Sequence, residues 1–339
     1  MGQLAIILAR VVQAIPTLFG IVVVTFLLTR ALPGDPAAYF AGASATPESI
    51  AEIRAKLGLD QSLPRQFTTY LMDLSRGDLG ESISTGQPVA AELLKRLPAS
   101  LELTLTALFL SVVIAIPLGV LAAVCQDSWI DQLCRFVVTA GVSLPTFFTG
   151  LLLIYVFYFL LGLAPAPLGR LDLLHVPPPQ VTGFLVFDGL LARQWALAWS
   201  AAKQLLLPSI TLALFTLAPL ARMTRAAMLQ ALGSEYLRTA RAAGLSRGRV
   251  LMVYAFRNAM LPIITTLGMV FSFSLGANVL VEKVFAWPGI GSYAIEALVV
   301  SDYAAVQGFV LSMAVLFVLL NLAVDTVYTL VDPRVRIDG

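Results

Sequence analysis

Few residues in this sequence are equipped for chemistry, and their spacing excludes more than it permits. The one histidine, His175, stands beside Pro177, Pro178 and Pro179. A lone loop imidazole with no acid or base beside it reads as polar filler rather than a ligand. The two cysteines, Cys125 and Cys134, are nine residues apart, too few and too far apart for a zinc site. They read as small apolar side chains and, on the reducing side of a membrane, as free thiols. No G-x-x-x-x-G-K-[ST] pattern occurs, so no P-loop nucleotide site is expected. The carboxylates nearest the apolar runs, Glu102, Glu282 and Asp325, all sit at run ends. An ion-coupled carrier would hold such groups at mid-membrane. An intramembrane enzyme would need a histidine or paired carboxylates within a span. No catalytic residue and no metal site is assigned.

The chemistry that remains is charge recognition. Residues 235–262, EYLRTARAAGLSRGRVLMVYAFRNAMLP, hold five arginines against one carboxylate, Glu235. Guanidinium forks suit carboxylates on a partner protein or the phosphates of lipid. Ser234 is placed to N-cap a helix over Glu235–Ala243, and Gly244 to stop it in a left-handed cap. Ser246 then caps a second helix, which leads through Asn258 into the apolar run at Leu261-Pro262. Arg238 and Arg241 share one face, while Tyr236, Ala240 and Ala243 form another. Small side chains at Ala240, Ala242 and Ala243 make the first helix thin enough to enter a groove. A floppy lysine loop would fix membrane topology equally well, so the capped helices point to docking. The segment is too brief, and too confined between spans, for nucleic-acid binding.

The elements that position this stretch are membrane helices. The chain has 339 residues, of which 58% are hydrophobic and 12% charged, and its mean hydropathy is +0.87. Six uncharged runs are long enough to cross a bilayer core of ~30 Å: 11–29, 103–124, 136–161, 205–221, 259–281 and 303–324. In lipid their backbones must bond internally, so they are expected to be helices. A seventh stretch, 181–199, contains Asp188 and Arg193 and is not expected to span, because central charges cost ~2.5–3.5 kcal/mol each. Six spans put both termini on one side. Arginines 222, 225, 238, 241, 247, 249 and 257, with Arg135, Arg334 and Arg336, fall on that same side, which the positive-inside rule makes cytoplasmic. The apolar run after Arg10 is too long for a cleaved signal. Prolines 16, 117, 145, 208 and 219 within spans read first as ordinary irregularity of membrane helices.

The opposite side carries excursions at 31–99 and 163–203. The first holds eight acids and six bases, a balance that can be translocated. In it, Thr46 is an N-cap with Pro47 at the first helical position and Gly58 as the stop, and a second helix is expected from Pro64 toward Ser75. It reads as a small helical cap.

The arginine stretch resembles the coupling loop of ABC-transporter permease subunits. Their general pattern is Glu-Ala-Ala, three residues, then Gly, and Ala240 and Gly244 match it here. The variant running from Tyr236 to Leu245, followed by Arg257-Asn258-Ala259 and Pro262, is typical of the peptide/nickel/opine permeases. Further pieces keep the family order: Pro33-Gly34-Asp35-Pro36, Leu57-Gly58-Leu59-Asp60, Gly77-Asp78-Leu79-Gly80-Glu81-Ser82, Arg96-Leu97-Pro98-Ala99-Ser100-Leu101-Glu102-Leu103, Phe285-Ala286-Trp287-Pro288-Gly289-Ile290-Gly291, Asp302-Tyr303 and Asp332-Pro333-Arg334. The resemblance implies an all-α integral membrane fold of the type I ABC importer kind. It has six transmembrane helices and a small helical periplasmic segment after the first. It divides the chain into 1–96 (first helix and external segment), 97–330 (permease domain with its coupling loop at 226–258) and a cytoplasmic tail, 331–339. It implies a subunit of an ATP-driven, binding-protein-dependent importer in the bacterial inner membrane. The expected cargo is dipeptides or oligopeptides, with nickel, opines or oligosaccharides as alternatives, and an ion-coupled secondary transporter is the alternative of another class. Two ABC ATPase subunits, a second homologous permease, a periplasmic substrate-binding protein and membrane lipid are the implied partners. ATP and magnesium belong to the ATPases, and no cofactor is expected on this chain. Glu235, Tyr236, Arg238, Thr239, Ala240, Arg241, Ala243 and Gly244 would couple to the ATPases. Asp78, Trp287, Pro288 and Tyr293 would face the binding protein.

Overall fold

The computed structural model describes residues 3–31, 35–42, 45–172 and 174–331, with side chains from residue 12 onward except 325 and 327–331. Pro33-Gly34, Asp332-Pro333-Arg334, the tail after Val331 and the side chain of Asp325 lie outside the described residues. Within the described residues the only β pairing is one isolated bridge, Glu81 with Pro88. The helices run α1 (Gln3–Ala31), α2 (Pro36–Ala41), α3 (Pro47–Lys56), α4 (Leu63–Ser75), α5 (Val89–Val124), α6 (Trp129–Val142), α7 (Thr146–Leu153), α8 (Leu185–Leu191), α9 (Trp195–Leu232), α10 (Glu235–Ala242), α11 (Arg247–Arg249), α12 (Arg257–Val284), α13 (Ile290–Val299) and α14 (Tyr303–Val331). A π-helical turn, Ile154–Leu160, extends α7, and another, Val250–Phe256, joins α11 to α12.

By length and composition five helices are able to cross a membrane, or six when one bent pair is taken as a single span. That pair corrects the expected straight run 136–161. Residues 129–142 and 146–160 meet at 97°, and the break falls at Ser143-Leu144-Pro145. Proline disfavours helix in the residue before it and lacks the N–H that would continue the ladder. The helices containing residues 205–221 and 259–281 are far longer than those runs, at 38 residues each over Trp195–Leu232 and Arg247–Val284. Hydropathy marks only the lipid-immersed stretch, whereas the helix continues as long as its backbone is paired.

The chain divides into two compact units, 1–100 with 288–318, and 101–287 with 319–339. The first differs from a contiguous 1–96 segment because the chain returns to it. Ile290, Tyr293, Ala297 and Ala305 share a core with Val89 and Leu93. A polar knot fixes the same place. Asp302, fully buried, caps the start of α14 by accepting from the Ala305 N–H at 3.2 Å. Its other oxygen accepts from the Ser82 hydroxyl at 2.6 Å and the Ser84 N–H at 3.2 Å. The small helical cap has the expected signals: Thr46 Oγ1 accepts from the Ser49 N–H at 3.3 Å, and α4 begins one residue before Pro64.

In the second unit α9 and α12 lie side by side, and the bent pair packs on both. Their shared core is rich in alanine: Ala115, Ala218, Ala221, Ala227, Ala255 and Ala259 are all buried in it. Small residues let membrane helices approach closely, where van der Waals contact must replace the hydrophobic effect. At Gly268 a Cβ would stand 2.6 Å from Val324, so the crossing of α12 and α14 there admits no side chain. Residues 181–199 do not span. Asp188 is buried and takes the Thr182 N–H at 2.8 Å, the Thr182 hydroxyl at 2.7 Å and the Gly183 N–H at 2.9 Å. Burial pushes this carboxyl up, but the bonds from Thr182, Gly183 and Val181 outweigh it and hold the group below the ordinary range. Glu102 is likewise buried, paired with Arg170 and accepting from the Val186 N–H at 3.0 Å. This is a structural ion pair between α5 and the loop before α8.

Candidate functional site: the arginine helix and its seat

A two-residue corner, Gly233-Ser234, turns the chain from α9 into α10. Ser234 has the extended backbone of an N-cap, φ −77° and ψ 150°, yet its hydroxyl donates backwards to the Ala231 carbonyl at 2.5 Å. It closes α9 instead of opening α10, so the expected cap holds in backbone only. Glu235 in the first turn suits the positive end of the helix dipole. At the far end Gly244 has φ +76°. Its N–H donates to Arg241 and the Leu245 N–H to Ala240, at 3.0 and 3.3 Å. These two bonds form a Schellman stop, which needs a left-handed residue at this position.

The seating of α10 corrects one expectation. Ala240, grouped with Tyr236 and Ala243 on a face apart from the arginines and expected to enter a partner's groove, is 8% exposed and points inward beside Leu237, which is fully buried. Both join a core with Ala227, Met228 and Ala231 of α9 and with Val250 and Ala255 of the π turn. Positions 237 and 240 are three apart, so one stripe is consumed by the seat, and Tyr236 and Ala243 fall outside it. Glu235, Tyr236, Arg238, Thr239, Arg241, Ala243 and Gly244 are exposed. Arg238 pairs with Glu235 at 2.8 Å, with 71% and 83% of their side chains in solvent. A pair so exposed contributes under ~1 kcal/mol, so both groups are available to a partner at little cost.

Beyond Gly244, Ser246 starts a continuous rod. It comprises α11, the π turn and α12, and Asn258 bonds the Tyr254 carbonyl at 2.7 Å without breaking it. The π turn was not anticipated, because residues 250–256 differ from an ordinary helix only in which carbonyl each N–H chooses.

A second feature absent from the expectations fixes the approach to this site. Asp131 of α6, fully buried, receives a bidentate fork from Arg225 of α9 at 2.8 and 2.6 Å. Ser128 caps α6 by accepting from the Asp131 N–H at 3.3 Å. The clamp ties the turn 125–128 to α9 about two helical turns before the Gly233 corner. An acid next to a span in a chain so poor in charge was the available signal.

The four residues expected to face a binding protein are divided by the structure. Asp78 and Pro288 are on the surface, with Asp78 accepting from the Gly80 N–H at 2.8 Å. Trp287 and Tyr293 are 1% and 2% exposed. Their rings are used internally, under Arg170 at 5.9 Å and under Arg96 at 5.0 Å respectively. Neither side chain is presented at the surface in this conformation. No group of three or more potential metal ligands occurs among the described residues.

A multi-pass helical membrane protein with an exposed basic helix seated between its two longest helices is thus defined. Residues 115–337 match the family described as the inner membrane component of binding-protein-dependent transport systems, and residues 3–104 match that family's N-terminal component. The chain belongs to this family of permease subunits. It is 44% identical over 320 residues to the probable D,D-dipeptide transport system permease protein of Escherichia coli K12, covering 94% of both chains. It is 42% identical to the di/tripeptide transport system permease protein of Pseudomonas aeruginosa over 98% of this chain and 99% of that one. It is 39% identical to the dipeptide transport system permease protein of Alkalihalophilus pseudofirmus over 98% of this chain and all of that one. Membership removes the ion-coupled secondary transporter.

Proposed function

We propose that this chain forms half of the translocation path of an ATP-driven importer that brings dipeptides or short oligopeptides across the bacterial inner membrane. The observation that carries the reading is the arginine helix, capped at Gly244 and anchored by Leu237, on a chain of the permease family. Peptides are favoured over nickel, opines or oligosaccharides because the relatives described above are named as carriers of dipeptides or tripeptides. Two ABC ATPase subunits carrying ATP and magnesium, a second permease and a substrate-binding protein on the outer face complete the machine. Both termini are cytoplasmic, which puts α10 on the ATPase side and the helical segment α2–α4 outside.

ATP binding shifts the pathway between inward-open and outward-open states only as far as it prefers one of them. Closure of the ATPases presses on the exposed face of α10. Because Leu237 and Ala240 share a core with Val250 and Ala255, the displacement enters the rod that ends in α12. Asp78 and Pro288 form part of the face offered to the binding protein.

The test is reconstitution in liposomes with its ATPase, permease and binding-protein partners. The reading expects uptake of labelled dipeptide that requires both ATP and the binding protein. Uptake without ATPase subunits, or a complete system that moves sugars or nickel and ignores peptides, refutes it.

A further inference from the structure

We infer that the cleft between α5, α6 and α9 is a binding site for an anionic phospholipid, whose phosphate bridges Arg222 and Arg135. A cavity of about 260 Å³ opens there, lined by apolar groups of α5, α6 and α9 with three arginines, Arg135, Arg222 and Arg225. The arginines are not equivalent. Arg225 is spent on Asp131 in the bidentate pair described above. Arg135 reaches the same carboxylate only loosely, at 3.7 Å, with 55% of its side chain exposed. Arg222 is exposed and makes no ion pair among the described residues. Three guanidinium groups thus line the cleft, with buried Asp131 paired to two of them and Asp127 acting on Arg225 as well, and a net positive charge is left at the mouth of the cavity. Guanidinium forks match phosphate oxygens, and the cleft presents one arginine without an ion pair among the described residues, Arg222, and one held only loosely, Arg135.

The walls say which anion. Apart from the Thr139 hydroxyl and the Cys134 thiol, the walls between the arginines are Leu118, Gly119, Ala122, Val138 and Ala221, which suit an acyl chain better than a sugar or a peptide. The neighbouring surface of α6 is open and apolar, with Phe136 71% and Val137 49% exposed. α6 is the first half of the bent pair that is long and apolar enough to cross a membrane only as one unit, and exposed apolar side chains on such a unit suit lipid. The cleft is thus entered from the bilayer, with arginine where a headgroup would lie and apolar walls where a tail would follow. The same cleft touches the Asp131–Arg225 clamp that ties α6 to α9, so an occupant would brace the approach to α10.

The experiment uses the full-length chain purified with its partner subunits and placed in nanodiscs of phosphatidylcholine with a minor fraction of phosphatidylglycerol. Lipid released after delipidation is counted by native mass spectrometry. We expect phosphatidylglycerol to be retained over phosphatidylcholine, and each of Arg222→Gln and Arg135→Gln to lower that preference about five-fold. Arg222→Lys should restore most of it, and Arg249→Gln, an exposed arginine outside the cleft, should leave it unchanged. Glycerophosphoglycerol, which carries the headgroup without tails, should not compete. Four results would overturn the proposal: no preference in the wild type, equal loss with Arg249→Gln, displacement by the tail-less headgroup, or crosslinks from position 222 that capture a partner subunit instead of lipid. Thermal unfolding of each variant, unchanged, guards against misreading a folding defect.

Discussion

Gly244 carries a positive φ, and nothing lies within 4 Å of where its Cβ would stand. A side chain there meets no clash, so the whole cost of substitution is the left-handed backbone, ~1–2 kcal/mol for an ordinary residue. Gly244→Ala should therefore be tolerated in membrane level, while Gly244→Val, β-branched, should unseat the Schellman stop. In reconstituted complexes we expect the valine variant to hydrolyse ATP while peptide uptake falls about tenfold, the equivalent of ~1.4 kcal/mol on the coupled step. Normal uptake by that variant would remove Gly244 from the coupling path. Asp188 allows a test by pH. Burial pushes its carboxyl up, but four donors from three residues outweigh it and hold the group below the ordinary range, so its contribution is complete above the unfolded value, ~3.9. It is lost as pH falls toward the lower folded value. The stability gap between wild type and Asp188→Asn, measured by thermal unfolding, should be constant above about pH 5 and should narrow below about pH 4. A gap that widens in acid would mean the carboxyl is not the stabilised form.

At the scale of elements, α10 works because it is held at one stripe and bare elsewhere. Leu237→Ala removes the anchor from a closed core, at a cost of ~2–5 kcal/mol, and should loosen α10 without touching any exposed coupling residue. Crosslinking of position 238 to the ATPase is expected to persist, while ATP-dependent uptake drops. Arg225→Ala is expected to be worse for folding, because a buried Asp131 left without its partner costs ~3–5 kcal/mol, and thermal unfolding should record it. These cases show what sequence alone could supply. The helix limits at Ser234 and Gly244 were legible because capping depends on local residue types, and so were five of the spans. The break at Pro145 was present in the letters but was outweighed by an unbroken apolar run. The inward face of α10 was not legible. Leu237 is one aliphatic residue among arginines, and only its distant neighbours, Met228 and Val250, decide which way it turns. The burial of Trp287 and Tyr293 was illegible for the same reason, since it depends on segments far apart in the chain.

For the molecule as a whole, orientation in the membrane remains the claim with the widest consequences, and the two cysteines can decide it. Both are free, and both lie in or beside α6, at the end of the chain's second crossing. The structure separates them. Cys125 is partly exposed, whereas Cys134 is 7% exposed. Reaction with a thiol reagent requires contact with the sulfur, so Cys125 should react and Cys134 should stay silent until the chain unfolds. If the arginine-rich side is cytoplasmic, a membrane-impermeant maleimide should label Cys125 in inverted vesicles and leave intact cells unlabelled. Cys125→Ser should abolish the signal, and Cys134→Ser should leave it intact. The pair of variants distinguishes a wrong topology from a wrong local structure. Labelling of intact cells at Cys125 would invert the molecule and put α10 outside, where no ATPase could reach it. Labelling in inverted vesicles that survives Cys125→Ser would keep the topology and show instead that α6 opens enough to expose Cys134.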